Sequence, residues 1–246
     1  GVYGKFMDIA EDEFRRLTET NYFGTVNGTR VALRRMLPRN RGAVVQILSA
    51  ISYRGVPLQS PYSGSKYALR GFTEAVRAEL ANDDSAVHLT TVNTPFYNHA
   101  LSHMPKPVRP PPPVYQPEIV ADAIYLAATT RRREVKVAGA TIGFAVANKL
   151  APGVLDYFAG KFGVAAQQSD QGGAVAMRDP NLNGPGQRPS STHGPFDSES
   201  LRTSAQMWAN KNRGVVGLAL GMGLIGLALL AGSSARAASG VGASRL

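Results

Sequence analysis

Two residues four apart define the chemistry that this chain could do. Tyr62 and Lys66 lie in YSGSK, and the apolar positions after them, Leu69, Phe72, Val76 and Leu80, recur at three or four. That spacing predicts one amphipathic helix with both side chains on one face. A phenol ordinarily titrates at about 10, and an ammonium a few ångströms away favours the phenolate. The hydroxyl is thereby brought toward the range where it can trade a proton near neutral pH. Tyrosine and lysine at this spacing also occur incidentally on solvated helix faces, so the surrounding elements decide between an acid/base pair and a bland surface.

Upstream, AVVQIL is a short apolar run with β-branched residues, which predicts a buried strand, and Ser49 stands at its C-terminal end. Ligands of open α/β sheets sit at that end of the strands. Strand, serine, a loop, YSGSK and an amphipathic helix together resemble the active-site segment of the short-chain dehydrogenase/reductase family. GVYG at residues 1–4 resembles the end of the family's Asn-Asn-Ala-Gly turn and the residues after it, with Gly1 as the last residue of the turn. Asn21 in TETNYFGT matches the family's helix asparagine, and RGFTEAVRAEL resembles the usual continuation of its catalytic helix.

This resemblance spans residues 1 to about 163 and implies a Rossmann-like, doubly wound α/β fold, of which the chain would be the C-terminal two-thirds. It implies an oxidoreductase that interconverts a secondary alcohol and a ketone with NAD or NADP. Tyr62 would carry the proton, Lys66 would lower the pKa of the phenol and hold the ribose, and Ser49 would hydrogen-bond the carbonyl oxygen. Asn21 would use its carbonyl to bind a relay water beside Lys66. Cofactor contacts fall on Gly1, Tyr62, Lys66 and Thr94. Relatives carry a Pro-Gly turn before that threonine, whereas here the chain runs directly into NTPFYNHA, a shortened loop.

The family's other half of the cofactor site is a glycine-rich turn that opens a helix after a strand and places the pyrophosphate on its N-terminus. No such strand-turn-helix is readable in the sequence, so the chain is expected to be N-terminally incomplete and to bind NAD(P)H weakly as it stands. The competing reading is a non-catalytic, membrane-tethered module that keeps the family's sheet and has lost the chemistry.

Composition narrows the classes further. The 246 residues, 43% hydrophobic, suffice for one sizeable domain, and the absence of cysteine excludes disulfides and thiolate metal sites. The formal charge is +10. Arg34, Arg35, Arg39 and Arg41 cluster at the end of one expected helix, where cations suit the macrodipole; without interleaved aromatics they do not make a nucleic-acid surface. His99 and His103 have helical ligand spacing but no third ligand, so no metal is expected.

In chain order, residues 11–37 predict a helix distorted around Asn21, where asparagine and Gly24 are poor formers. AVHLTTV predicts a strand parallel to the first. Residues 105–117 carry seven prolines, a stiff substrate-covering loop. PEIVADAIYLAAT predicts a helix, EVKVAG a short strand, and the segment beyond it an apolar lid built from Phe144, Leu150, Leu155, Tyr157 and Phe158, which favours a greasy alcohol or ketone. Residues 164–200 are too polar to bury much surface and are expected to be a flexible linker. Residues 214–232 are uncharged, about the length of a membrane span, with Trp208 placed as an interfacial aromatic. Tethering with the domain on the cytoplasmic side is the expectation, and Gly217 and Gly221 give a weak hint of a homodimer.

Overall fold

The computed structural model describes residues 1–93, 100–110, 113–168, 180–186, 192–193 and 196–240, with side chains for all of these except 93, 140 and 229–240. Two compact units divide the chain, Gly1–Met207 and Trp208–Leu246. The first runs β1 (Val2–Tyr3), α1 (Glu11–Thr18), α2 (Gly24–Met36), β2 (Ala43–Leu48), α3 (Ser60–Asn82), β3 (His88–Asn93), β4 (Leu101–Ser102), α4 (Pro117–Thr129), β5 (Glu134–Lys136), α5 (Gly139–Leu150) and α6 (Pro152–Phe162). Helices α7 (Ala205–Lys211) and α8 (Arg213–Gly240) come after these.

The apolar runs become a parallel sheet of order β2-β3-β5, with α3 and α4 as crossovers. Parallel neighbours need such crossovers, because the chain must return to the same end of the sheet before each strand. The register pairs Ala43 with His88 and Leu48 with Asn93, so Ser49 leaves the sheet at its C-terminal edge. Val92, Val135 and Val137 from the strand side meet Ile119, Ala123 and Ala127 of α4, and Met207 closes the cluster. This is the Rossmann-like α/β layering that the sequence predicts. A second, two-stranded parallel pair joins β1 to β4 over Tyr3, Leu58 and Ala100.

Entry into β2 is fixed by two backbone devices. Asn40 ends the α2 segment in the left-handed conformation, φ 44°, and its carboxamide oxygen accepts from Ala86 N at 2.7 Å, tying the turn to the approach of β3. Gly42 has φ 155°, and a Cβ there would stand 2.4 Å from Met36 Sδ, so only glycine lets the helix end pass so close.

Two expectations about the later chain need correcting. Residues 164–168, expected as the start of a slack linker, are packed: Gln167 is buried, its Nε2 donates to Pro57 O and Gly163 O, and its own carbonyl accepts from Arg109 N. Residues 197–204 are tied as well, through Arg109–Glu199, Leu201 N to Val114 O, and Ser204 Oγ to Val137 O. These contacts strap the proline-rich loop along its described residues. A polar segment can order itself when its carbonyls and amides take up the few backbone donors and acceptors that a proline-rich loop leaves open, here Arg109 N to Gln167 O, Gln116 N to Leu201 O and Leu201 N to Val114 O.

The expected lid is the second correction. Helices α5 and α6 turn Phe144, Leu150, Tyr157 and Phe158 outward, at 42%, 78%, 62% and 52% exposure. In the second unit, α8 is a 28-residue helix. Among the described residues no helix is long and apolar enough to cross a membrane, and the side chains of 229–232, the end of the expected span, lie outside them.

Candidate active site

The site is assembled by α3, the end of β2 and the distorted turn before α2. Pro61 is the second residue of α3, where its missing N–H and fixed φ suit a first helical turn. Pro61, Ser65, Leu69 and Thr73 come at steps of four on the buried side. Ser65 and Thr73 are small and bond backward along the helix, to Tyr62 O at 2.8 Å and Leu69 O at 2.7 Å, so they satisfy their hydroxyls while letting other elements approach.

Lys66 extends from this helix to the sheet. Its Nζ donates to Ile47 O at 2.7 Å. The ammonium therefore sits two residues short of Ser49, at the strand end. It also lies 5.6 Å from the centre of the Tyr62 ring. Burial pushes the Lys66 ammonium down from its ordinary value to about 8, because a charge removed from water loses hydration that one carbonyl does not replace.

Ser49 is buried and caps the short 3-10 turn Ala50–Ser52. Its Oγ accepts weakly from Ile51 N at 3.4 Å, while its carbonyl takes both Ser52 N and Ser52 Oγ. Asn21 lies inside a π turn, Glu19–Phe23, between α1 and α2. One extra residue in a helical turn is often found where a side chain must be aimed. Asn21 Nδ2 donates to Ser65 Oγ at 3.3 Å, one residue from Lys66, and its own carbonyl accepts Thr25 Oγ1 at 2.8 Å. The expected distortion is present, and the carbonyl assigned to a relay water already has one protein partner. Gly1 reaches the same corner, and its carbonyl accepts from Leu101 N at 2.9 Å. Thr94 and His99 lie outside the described residues. His103 contacts Glu13 at 2.9 Å, and among the described residues no group of side chains is arranged to hold a metal.

Two features of this region were not legible in the sequence. Ser65, which joins Asn21 to α3, looks like any helix serine. The loop leaving Ser49 is fastened by Tyr53 and Arg54. The Tyr53 ring lies 4.0 Å from the Arg70 guanidinium and 5.6 Å from Lys136 Nζ, and its hydroxyl reaches Glu134. Arg54 bonds Asn148 at 3.1 Å and pairs with Asp156, while Asn148 Nδ2 returns to Tyr53 O at 2.9 Å. Glu134, Asn148 and Asp156 stand far along the chain from this loop, and no local pattern announces them.

For a dinucleotide, the residues present fit the ribose and nicotinamide end, where a desolvated cation lies beside a phenol ring. The pyrophosphate end needs free N–H groups at a helix start. The glycines of α8, Gly217, Gly221 and Gly223, do not supply them, because within a helix backbone N–H groups are taken up by the helix itself.

Comparison with known proteins agrees with this geometry. Residues 1–104 match the family model of short chain dehydrogenases. The oxidoreductase YxnA of Bacillus subtilis is 31% identical over 177 residues, 69% of this chain and 50% of that protein. Human dehydrogenase/reductase SDR family member 7 is 44% identical over 75 residues, 30% of this chain and 22% of that protein. A short-chain dehydrogenase structure from Streptomyces avermitilis superposes with a TM-score of 0.50 at 22% identity, covering 66% of each chain, a likeness of fold. The chain belongs to the short-chain dehydrogenase/reductase family, and it spans about half the length of YxnA.

Proposed function

We propose that this chain supplies the proton-handling half of an NAD(P)-dependent oxidoreductase acting on a secondary alcohol or ketone. The observation that carries it is the Lys66 ammonium, desolvated beside the Tyr62 ring and anchored at the strand end that bears Ser49. Tyr62 gives its proton to the carbonyl oxygen during reduction and takes it back during oxidation. Lys66 stabilises the phenolate left behind, and in a dry site that charge acts over a short distance at low dielectric. Ser49 donates a hydrogen bond to the same oxygen, and Asn21 holds the turn of α3 between Tyr62 and Lys66 through Ser65. When bound, the nicotinamide supplies the hydride. NAD versus NADP is set by residues outside this half.

An apolar, lipid-like substrate fits if the uncharged run 214–232 tethers the protein to a membrane with the catalytic unit on the cytoplasmic side. The described part of α8 supports this reading with exposed Val215, Leu218, Leu220, Leu224, Ile225 and Leu227. The test is Tyr62→Phe in the full-length protein, with single-turnover reduction of an apolar ketone. Turnover is expected to be lost with cofactor affinity retained. A near-normal rate would overturn the assignment, and loss of cofactor binding in the unsubstituted protein would favour the non-catalytic module.

A further inference from the structure

We propose that the outward face of α5 and α6 docks on an anionic lipid surface, a contact separate from the tether suggested for residues 214–232. The face is built at helical spacing. Val154, Tyr157, Phe158 and Phe162 succeed one another at three, one and four along α6, and each is more than half exposed. Tyr157 meets Phe158 edge to face at 5.7 Å, and Phe158 stacks on Phe162 at 6.0 Å, forming a preassembled aromatic ladder. On α5, Val146 and Leu150 are exposed as well and, four apart, share one face of that helix. Exposing this many large apolar side chains on one helix pair costs solubility unless something covers them.

Charge selects the occupant. Between residues 137 and 168 the charged residues are Lys149, Asp156 and Lys161, and Asp156 is paired with Arg54. The two lysines are exposed, each in the last turn of its helix. Lys161 Nζ rests 5.6 Å from the Tyr157 ring and 5.7 Å from the Phe162 ring, so the cation is held at the level of the aromatics. Aromatic residues with lysines and no unpaired acid describe an interfacial surface: rings enter the boundary of headgroup and acyl chain while ammonium groups meet lipid phosphates. A second copy docked face to face would set lysines against lysines.

These 246 residues contain no cysteine, so in this chain Phe158→Cys carries a single environment-sensitive fluorophore, with Ala75→Cys on exposed α3 surface as the control. The 246-residue chain is titrated with vesicles of phosphatidylcholine containing about 30% phosphatidylserine, and with phosphatidylcholine alone. At position 158 the expected result is a blue shift and about a threefold fall in iodide quenching with the anionic vesicles, little change with the neutral ones, and no change at position 75. Because the readout is local, insertion of residues 214–232 cannot imitate it. No shift at 158 overturns the proposal. So does an equal shift on neutral vesicles, or a concentration-dependent shift without lipid, which would assign the face to another copy of the chain.

Discussion

Helix α3 and the pair α5–α6 begin from the same kind of sequence and meet opposite fates. Both carry large apolar residues at helical spacing with a tyrosine and a lysine four apart, Tyr62 with Lys66 and Tyr157 with Lys161. In α3 the buried side is studded with small residues, Ser63, Ser65 and Thr73, and the helix packs against β2, α1 and the π turn. Its lysine reaches a strand carbonyl and loses water. In α6 no buried residue is found, and Lys161 lies at 3.4 Å from the Tyr157 hydroxyl in solvent. Burial lowers the Lys66 ammonium to about 8; the same pair of residue types on α6 is a surface feature. Tyrosine and lysine four apart therefore become a desolvated pair only when tertiary packing dries one of them.

Removing the phenol would break this contrast most sharply. Tyr62→Phe in the full-length protein is expected to lower turnover about a hundred- to ten-thousand-fold, the range for one proton-transferring group. Tyr157→Phe should leave the rate within about twofold. Stopped-flow measurements of both variants decide it, and equal losses would mean that the burial of Lys66 is irrelevant to the reaction.

Packing gives the next effect. Leu69 on α3 is 1% exposed, and Leu69→Ala is expected to destabilise the fold by about 2–5 kcal/mol. Val154→Ala on α6 should change stability by no more than about 0.5 kcal/mol. Urea denaturation monitored by circular dichroism compares them directly.

Lys66 also predicts a pH signature. Its ammonium titrates at about 8 in the folded chain against 10.5 when exposed, so from about pH 8 upward the unfolded chain binds more protons than the folded one. Stability from this group therefore rises with pH through that window, and its burial cost is fully present below it. The expected gain across the window is at most about 3 kcal/mol, at about 1.4 kcal/mol for each unit between the two values. The Lys66→Met variant should lack it, and a Lys161→Met variant should keep it. Denaturant midpoints at several pH values test the difference, and a flat curve for the unsubstituted protein would show that water reaches the ammonium.

The smallest effect concerns the brace on the Ser49 loop. Arg70→Lys replaces a planar guanidinium that stacks 4.0 Å over the Tyr53 ring, and should cost about 0.5–1 kcal/mol. Thermal denaturation would register it. No change would make the Arg54 bonds the stronger brace between this loop and α5–α6.

Much of this was settled by the chain itself. AVVQIL and AVHLTTV are too β-branched and too short for helices, so their parallel pairing through α3 came from connection rules. The distortion at Asn21 was legible because asparagine and glycine are poor helix formers, and YSGSK placed two functional groups on one face because the helix repeat is local. What the sequence could not decide was where each side chain would meet water. That Lys66 donates to Ile47 O, that Ser65 joins Asn21 to α3, and that Arg54 reaches Asn148 and Asp156 all depend on residues brought together from far along the chain. The aromatics of α5–α6 were read as a lid because apolar residues usually cover something, and the polar residues beside Gln167 as slack because they could bury little surface. Tertiary structure reversed both. Burial and hydrogen-bond completion are properties of the assembled surfaces, which periodicity along one element does not contain.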